Sequence, residues 1–443
     1  MRHIAYFLLV TTAASAMAAG TSASDAGPRP PEVDLTVFDT APNEELRAGS
    51  MASILEPARF TLMHEIAPRI NSPHRVTNNR SSFRVQYEKH FLDKFYLQLD
   101  SKLTAFWGKD HRAIAENRDF LHEFSSRDAY LQFSTGNTSV RLGRQILIWG
   151  ESDAGAITDV ISPRNLSELF FISLEESRIS QFMLNVEQFS SIGDWSAFYV
   201  PDAQYNEYPD RGTAYYIEPF AGQAQIRGGD EDLGEFGLRW KKTFGRSDLA
   251  FMAASLIDND ISLRSDGFGD DGKLLLTKAR QRFDMVGATF THATGSTLFS
   301  GEIARKSPRA FSTGALQLVE KDVLDTSLRV QYSFSSIRSV SLELVNSHIS
   351  SWTPELGRMP RNRNSLVFGW NDSFLHEDLT LSLLSVYMQP YTSFQHSLFM
   401  TYKWNDRLTL GLDVFYLVVD SPYNDMYAYR KESHAVLKIF QKF

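Results

Sequence analysis

The stretch that decides the fold is VRLGRQILIWGESDAGAITDVISPRN, residues 140–165. Its first ten residues are rich in Leu, Ile and Val, which is typical of a β-strand. Two arginines and a glutamine interrupt this apolar run, and the strand ends in Trp149-Gly150-Glu151. Since successive side chains of a strand point to opposite faces, such a strand separates an apolar environment from one that accepts guanidinium groups.

Alternation of apolar and polar residues recurs along the chain from residue 58 onward. In SFRVQYEK, residues 82–89, Phe83 and Val85 fall on one face, and Arg84 and Gln86 fall on the other. A period of two residues predicts β-strands throughout this region. The same pattern is found in KFYLQLDSKL (residues 94–103), TSLRVQYSF (326–334) and LTLGLDVFY (408–416).

The connections between the predicted strands alternate between short and long. Short ones lie near residues 92–93, 135–136, 191–193, 244–246, 294–295, 335–338, 375–378 and 405–407. Long ones lie at residues 68–80, 108–127, 150–176, 202–232, 258–281, 306–322, 350–362 and 420–431, and only 389–393 is short on that side. Tight turns at one rim and long loops at the other are typical of outer-membrane barrels. The sequence therefore predicts an all-β fold, an antiparallel transmembrane β-barrel of about 18 strands with short periplasmic turns and long extracellular loops.

The two ends of the chain favour export to the outer membrane. A basic start at Arg2, an apolar run at residues 4–14 and small residues at 14–20 predict a signal peptide over residues 1–19. The alternative is a short membrane anchor, but the apolar run is too short to span a bilayer. Residues 20–57 form a polar, proline-bearing periplasmic segment, either a tether or a short amphipathic helix, and residues 58–443 form the barrel.

The last strand closes the chain on Phe443, in AVLKIFQKF, residues 435–443. Ala435, Leu437 and Ile439 share the face of this residue, whereas Gln441 breaks the pattern. A final strand that ends on an aromatic residue resembles the signal by which the barrel-assembly machinery recognises outer-membrane proteins. Phe443 is therefore the candidate membrane-insertion signal.

Composition excludes several other classes of protein. The net charge is −8, so the chain lacks the basic surface of a nucleic-acid-binding protein. Cysteine is absent, which excludes disulfides, thiolate metal sites and cysteine nucleophiles. We find no HExxH, G-x-S-x-G or phosphate-loop motif and expect no enzymatic activity, metal or cofactor.

Arg144 conflicts with strict alternation in the opening strand. Alternation places Leu142, Arg144 and Ile146 together on the lipid face, where an arginine at mid-membrane costs about 2–4 kcal/mol. A β-bulge at or beside Gly143 would shift the register and turn Arg144 inward, and the alternative is an acidic neighbour on an adjoining strand. We therefore predict that Arg144 faces the lumen or the loop that follows.

The same stretch resembles a known family. Gly143-Arg144-Gln145, three residues and then Trp149-Gly150-Glu151 is similar to the GRQ-x-x-x-WGE stretch of a large, mostly uncharacterised family of Gram-negative outer-membrane barrels. Ser162-Pro163 stands where relatives carry Asn-Pro, and a distant likeness to alginate-export porins is limited to the strand. The resemblance implies an outer-membrane channel, which in some members is linked to an inner-membrane exporter, and it implies no particular substrate.

The loop at residues 150–176 is long and charged, with LFFI at residues 169–172 inside it. Arg141 and Arg144 on the strand would face Glu151 and Asp153 on the loop, because buried charges have to be paired. Such a network is either a constriction that selects solutes by charge or a latch that holds the loop, and an outward-facing loop is the remaining alternative. The candidate residues are Arg141, Arg144, Gln145, Trp149, Glu151, Asp153, Asp159 and Arg164.

The polar faces of other strands supply candidate lumen-lining residues of both signs: Arg84, Lys102, Arg239, Arg329, Glu343 and Asp413. Mixed charge favours a general, sugar-like or amphiphilic solute rather than a strongly charged one. The first hypothesis is a porin-like channel that passes a small or amphiphilic solute through a loop-constricted lumen. The second is the outer-membrane component of an export or lipid-trafficking complex with an inner-membrane exporter, and an enzyme or adhesin without a pore is third. Expected partners are outer-membrane lipid, lipopolysaccharide and the assembly machinery.

Overall fold

Eighteen antiparallel strands form one closed barrel in the computed structural model, which describes residues 57–113, 121–152, 155, 157–172, 176–228 and 234–443. The first nine barrel strands are β1 (Ala58–Pro68), β2 (Val76–Phe91), β3 (Phe95–Phe106), β4 (His122–Thr135), β5 (Thr138–Gln145), β6 (Gln181–Gln188), β7 (Asp194–Val200), β9 (Glu235–Phe244) and β10 (Ser247–Ile257). The other nine are β13 (Arg282–Thr294), β14 (Thr297–Ser312), β15 (Leu318–Ser333), β16 (Ser339–Ile349), β17 (Asn362–Phe374), β18 (Leu379–Gln389), β19 (Ser393–Lys403), β20 (Leu408–Val419) and β21 (His434–Lys442). The predicted fold class is confirmed.

The barrel closes because its first and last strands pair. β1 is antiparallel to β2 on one side and to β21 on the other, where Thr61 lies opposite Lys442 and Ile66 opposite Leu437. The backbone N–H of Phe443 donates to the Phe60 carbonyl at 3.0 Å, which extends this seam by one bond. Closure leaves no unpaired edge among the 18 described strands of the barrel, as a membrane barrel requires.

Tight turns and long loops alternate around the barrel as predicted, with one correction. Residues 306–322 do not form a long loop, because β14 runs to Ser312 and β15 starts at Leu318. The two strands stay paired through a register shift between Lys306 and Arg309 and reach well beyond their neighbours. The alternation of apolar and polar residues stops in the sequence at Lys306, because the register shift interrupts it there.

A second, three-stranded sheet occupies two segments that the sequence predicted as long loops. Its strands are β8 (Ala224–Arg227), β11 (Ser262–Phe268) and β12 (Leu274–Ala279). β11 and β12 form an antiparallel hairpin, and β8 runs parallel to β12. A short 3-10 helix at Pro219–Gly222 precedes β8 in the same loop, and two others, at Pro354–Leu356 and Asp425–Tyr429, lie in later loops. No helix of the described residues is long and apolar enough to span a membrane.

The barrel wall is apolar outside and mixed inside. Phe251 is exposed and its neighbour Met252 is buried, and the exposed Leu142 and Leu184 lie directly opposite each other on β5 and β6. An apolar outer band on a closed antiparallel barrel is the architecture of outer-membrane proteins, and the chain belongs in that membrane. Residues 1–56 lie outside the described part, so the signal peptide (1–19) and the periplasmic segment (20–57) stay predictions.

Candidate functional site

The strand β5 keeps a continuous register up to its end at Gln145. Leu142, Gly143 and Arg144 lie opposite Leu184, Met183 and Phe182 without a shift, and the pairing with β4 is equally regular. The predicted bulge at Gly143 is therefore wrong. Gly143 serves another purpose, because its φ is +138° and a Cβ there would lie 2.3 Å from the Ala129 carbonyl oxygen. Only glycine fits this close approach.

Arg144 remains on the outer-facing register of β5, opposite the exposed Phe182. It is the next-to-last residue of the strand, so its long side chain reaches the loop that follows. Nη2 donates to the Ser180 carbonyl at 2.6 Å. The guanidinium is thus bonded to the end of the loop that leads into β6. The length of the Arg144 side chain, rather than a bulge, brings it to this polar partner.

The connection from β5 to β6, residues 146–180, packs against the inner wall of the barrel; we call it the 146–180 segment. Its first part buries Trp149, Ile157 and Ile161 against Met252 of β10 and Met285 of β13. Its second part buries three consecutive apolar residues among wall and loop side chains, including Tyr215, Phe415 and Val436; they are Leu169, Phe170 and Phe171. Burial of this much apolar surface fixes the segment at both places.

The first part of the segment is bonded to Glu302, a buried carboxylate of β14 that is 4% exposed. Its Oε1 accepts from the backbone N–H groups of Glu151 and Ser152. Its Oε2 accepts from the Thr158 backbone N–H at 3.1 Å and from the Thr158 hydroxyl at 2.7 Å. Next to it, the Ser152 hydroxyl donates to Glu343 of β16. We call this set of bonds to Glu302 the Glu302 anchor.

The second part is bonded through Glu168, which is also 4% exposed. Arg80 of β2 donates to its Oε1 at 2.5 Å, and Asn78 of β2 donates to its Oε2 at 3.3 Å. His111 Nε2 lies 3.1 Å from Oε1. Burial alone would raise the pKa of Glu168, but the Arg80 charge and the His111 hydrogen bond hold it well below its ordinary value of 4.5. We call these contacts the Glu168 anchor.

The two anchors are on opposite sides of the barrel. Counting around the closed ring of 18 strands from β1, β2 is the second strand and β14 is the eleventh, since β8, β11 and β12 are not part of it. The difference of nine strands is half of the ring. A single 35-residue connection (residues 146–180) therefore contacts inner-wall residues half a circumference apart.

Between the anchors, a carboxylate holds the segment's own chain together. Asp159 Oδ2 accepts from Arg178 Nη2 at 2.6 Å and from Arg164 Nη2 at 3.3 Å. Arg164 and Arg178 also form an isolated antiparallel bridge. Arg164 is buried, and this burial lowers its pKa although the Asp159 charge acts in the opposite direction. Asp159 thus links the first part of the segment to its end, in addition to the two anchors on the wall.

The predicted pairing of strand arginines with loop carboxylates is not found for the described residues. Arg141 pairs with Glu187 of the adjacent β6 at 2.8 Å, and Glu151 lies 4.0 Å from Arg239 of β9. Asp153 lies outside the described residues. The reason is that Arg141 lies opposite Asn185, which makes Glu187 its diagonal neighbour on β6, so the arginine has an ion pair before the loop begins.

Gln145 and Trp149 stabilise the entry into the 146–180 segment. Gln145 Nε2 donates to the Met183 carbonyl at 3.2 Å, and Trp149 packs edge-on against Phe198 with ring centroids 5.1 Å apart. A Cβ on Gly237 would lie 3.0 Å from the Trp149 ring, so a glycine on β9 makes room for the indole. Both side chains are buried and pack against the wall rather than line an opening.

The six candidate lumen-lining residues lie on the inner face of the wall, and most are in ion pairs. Arg84 donates to Asp100 at 2.7 Å, Lys102 to Glu176 at 2.6 Å, and Lys438 to Asp413 at 2.5 Å. Their neighbours along the strands, such as Phe83 and Leu103, are exposed on the outer face. Arg329 and Glu343 lie opposite each other on β15 and β16, and Arg239 is the neighbour of Glu151 described above.

Sequence reasoning missed Glu302, Glu168, Arg80 and His111 as partners. Glu302 lies in LFSGEIARK, residues 298–306, where alternation already placed a carboxylate between apolar residues. A charged residue on the inner face of a strand was therefore detectable. Its binding partner was not, because backbone N–H groups of a loop leave no signature in the sequence.

A cavity of about 170 Å³ lies between the 146–180 segment and the wall strands β13–β17. Its polar lining includes Arg164, Arg309, Asp325 and Arg363, and its apolar lining includes Phe283, Phe311 and Val345. Among the described residues, no group of three or more His, Asp or Glu side chains has metal-binding geometry.

The sequence model of the family described as "Protein of unknown function (DUF1302)" matches residues 71–426, which is most of the chain. No curated protein matches the chain. The GRQ-x-x-x-WGE stretch is within the matched range, but the match does not define the family by that motif.

Solved outer-membrane channels share the fold at low sequence identity. OccK9 (OpdG) of Pseudomonas aeruginosa has a TM-score of 0.52 at 10% identity, over 88% of this chain and 98% of that one. OccK2 (OpdF) of the same organism, in complex with glucuronate, has a TM-score of 0.52 at 10% identity, over 87% and 97%. OpdK with vanillate, also from Pseudomonas aeruginosa, has a TM-score of 0.51 at 7% identity, over 88% and 99%.

Proposed function

The chain belongs to the family of proteins of unknown function DUF1302, and from that premise we propose that it is a porin-like channel of the outer membrane. In this proposal a small or amphiphilic solute diffuses passively through a lumen that the 146–180 segment narrows. The barrel itself would have no catalytic role.

The observation that carries the proposal is the attachment of one segment to opposite walls. Glu302 holds its first part on β14, and Arg80 of β2 holds Glu168 in its second part. A connection fixed in this way divides the interior and leaves narrower passages beside it. Charged groups at such a narrow place select solutes by sign and size.

The nature of the lining supports a solute that is partly apolar. Two apolar clusters flank the segment, one around Trp149 and Met285 and one around Phe171 and Phe415. Charges of both signs face the remaining space, as Arg164 and Asp325 do at the cavity. A passage with apolar walls and paired charges favours a small amphiphile over a strongly charged ion.

The test is single-channel conductance of the refolded, full-length protein in a planar bilayer, beside a variant that lacks residues 151–158. A Cβ on Gly150 would lie 3.2 Å from the Asp159 backbone nitrogen, so a two-glycine linker joins the cut ends without strain. This excision removes every donor of the Glu302 anchor and keeps Asp159. We expect a steady conductance in the wild type that rises in the variant.

The matched control shortens the tip of the β11–β12 hairpin, residues 269–273, which belongs to the separate sheet and should leave conductance unchanged. Absence of current in both the wild type and the loop variant contradicts the proposal. Current in the loop variant alone indicates a plugged barrel and favours the alternative, an outer-membrane component of an export or lipid-trafficking complex. That alternative assigns partner docking to residues 20–57 and an inner-membrane exporter as the partner.

A further inference from the structure

We propose that the cavity between the 146–180 segment and strands β13–β17 binds a small organic monocarboxylate whose apolar body is about the size of one aromatic ring. As a statement about the transported solute, this rests on the proposed channel function. As a statement about binding, it rests on the cavity alone and is tested without conduction.

The first argument is the charge that remains after the ion pairs of the cavity are counted. Lys306 pairs with Asp325 at 2.6 Å, and Arg309 pairs with Asp258 at 2.7 Å. The carboxylate of Asp159 is shared by two guanidinium groups, those of Arg164 and Arg178. Asp260 lies 3.9 Å from the guanidinium of Arg309, which already has Asp258 as its closer partner. Its own hydrogen bonds, from Asn206 at 2.7 Å and Tyr208 at 3.3 Å, satisfy it without a further cation.

Arg363 is the cation of the cavity lining that takes part in none of these ion pairs. Among the described residues, no carboxylate lies within 4.0 Å of its guanidinium, and Nη2 instead donates to the Met359 sulfur at 3.5 Å. Asp425, Asp325 and Asp260 act on it from a greater distance. A sulfur is a weak acceptor, so most of the hydrogen-bonding capacity of this guanidinium is available to a ligand.

A second donor faces the same space. Arg164 is 4% exposed, it lines the cavity, and its Nη1 has no hydrogen-bond partner in the described part of the chain. A buried N–H without a partner costs free energy, and a ligand oxygen would remove that cost. Two guanidinium groups with unused N–H donors therefore border one cavity, and a carboxylate is the planar two-oxygen group that such donors bind.

The apolar side of the cavity determines the size and polarity of the rest of the ligand. Phe283, Phe311, Val323, Val345, Ile349 and Met359 line it. The volume of about 170 Å³ is close to the roughly 150 Å³ of an engineered apolar cavity that accommodates benzene. One ring-sized apolar group fits beside the guanidinium groups. A single negative charge matches Arg363, which has no ion pair among the described residues, whereas a dianion would place further negative charge next to the four carboxylates of the lining.

The test is equilibrium binding of benzoate to the refolded, full-length barrel in detergent, measured by titration calorimetry. Benzyl alcohol, benzylamine and acetate serve as the neutral, cationic and ring-free probes. We expect saturable binding of benzoate, and clearly weaker binding of the other three. Arg363→Gln should raise the Kd for benzoate by about tenfold or more, because a charge-assisted hydrogen bond is lost. Arg363→Lys, which keeps the charge, should recover part of this loss.

Arg361→Gln is the matched control, since Arg361 is exposed and does not line the cavity, and it should bind benzoate like the wild type. Arg363 is in no ion pair of the described residues, and Asp425, on which its charge acts from a distance, also interacts with the charge of Arg358, so the variant should fold. Heat-modifiable mobility on a denaturing gel checks this. If Arg363→Gln does not fold, the four probes on the wild-type protein still decide.

The inference is overturned if benzoate does not bind, if benzyl alcohol or benzylamine binds as tightly, or if Arg363→Gln leaves the Kd unchanged. Conductance is recorded on the same preparations. Current without benzoate binding removes this inference and leaves the channel in place. Benzoate binding without current removes the channel and leaves the site.

Discussion

The Glu302 and Glu168 anchors hold the same segment with equally buried carboxylates, yet their charges are compensated in opposite ways. Glu302 accepts from backbone N–H groups and a hydroxyl, and no cation lies within 4.0 Å of it among the described residues. Glu168 is in contact with Arg80 and His111. At one end the wall supplies the carboxylate and the segment supplies neutral donors; at the other, the segment supplies the carboxylate and the wall supplies the cation.

This difference has a structural consequence. The donors of Glu302 come from residues 151, 152 and 158 of one short stretch, so a local change in its backbone breaks several bonds together. Arg80 instead contacts Glu168, Asp110 and Glu65 at the same time, at 2.5, 2.9 and 3.4 Å. The Glu168 anchor is therefore held within a larger ion-pair cluster around Arg80. The Glu302 anchor depends instead on the conformation of the segment.

The largest effect is expected from Arg80→Ala at the Glu168 anchor. The substitution leaves three buried carboxylates without their shared cation, and breaking a buried ion pair typically costs about 3–5 kcal/mol. The free energy of unfolding, measured by denaturant titration of the folded barrel in detergent, should fall by that amount.

Arg59→Ala on β1 is the matched control. Its side chain is 72% exposed and lies 3.9 Å from Glu88, so the change should be less than about 1 kcal/mol. Equal losses in the two variants would mean that the Arg80 cluster gives no more than a surface ion pair, and the contrast between the anchors would fail.

A smaller and more local effect is expected from Glu302→Gln. The amide retains one acceptor oxygen, so its NH₂ group replaces an acceptor either at the N–H groups of residues 151 and 152 or at the N–H group of Thr158. Loss of hydrogen bonds to a charged acceptor costs about 1.5–3 kcal/mol. Amide hydrogen exchange at Ser152 and Thr158 should therefore accelerate by roughly tenfold to a hundredfold.

Glu320→Gln on the neighbouring β15 is the control for this exchange measurement, because Glu320 is exposed and the same substitution there should leave these amides protected. Unchanged exchange at Ser152 and Thr158 in Glu302→Gln would show that apolar packing of Trp149 and Ile157 alone holds the segment. The Glu302 anchor would then be a consequence of that packing rather than a cause.

Much of the fold could be predicted from the sequence, because a lipid-facing wall imposes a period of two on every strand. Segments such as residues 82–89 and 326–334 show it, and the turn and loop lengths follow the two rims. The prediction was wrong at Gly143, where a bulge was expected although strict alternation holds, and at residues 306–322, where a loop was expected although the strands continue. β5 tolerated an arginine in outer register, and β14 continued through a register shift.

The candidate site was less predictable for a physical reason. Arg141, Glu151 and Asp159 were identifiable as charged residues around a long loop, but their partners depend on which strands become neighbours. Arg141 bonds to Glu187 because β6 lies next to β5, although 46 positions separate them in sequence. Pairing of Glu168 with Arg80 needs the closed ring, which a one-dimensional pattern does not contain.

The smallest effect is expected from a change of pH, and it tests whether the Glu168 anchor depends on its cationic partners. The pKa of Glu168 is well below its ordinary value of 4.5, since Arg80 and His111 outweigh the effect of burial. A carboxyl with a depressed pKa in the folded state stabilises that state above its unfolded pKa, and this stabilisation is lost as the pH falls through the folded pKa. The difference in unfolding free energy between wild type and Glu168→Gln should thus stay constant from about pH 8 to pH 5 and shrink only below about pH 4.5.

A difference that already decreased between pH 8 and pH 6 would mean that Glu168 takes up a proton in the folded barrel near neutrality. The ion pair with Arg80 would then not be what holds the segment on that wall, and both anchors would rest on hydrogen bonds without an ion pair.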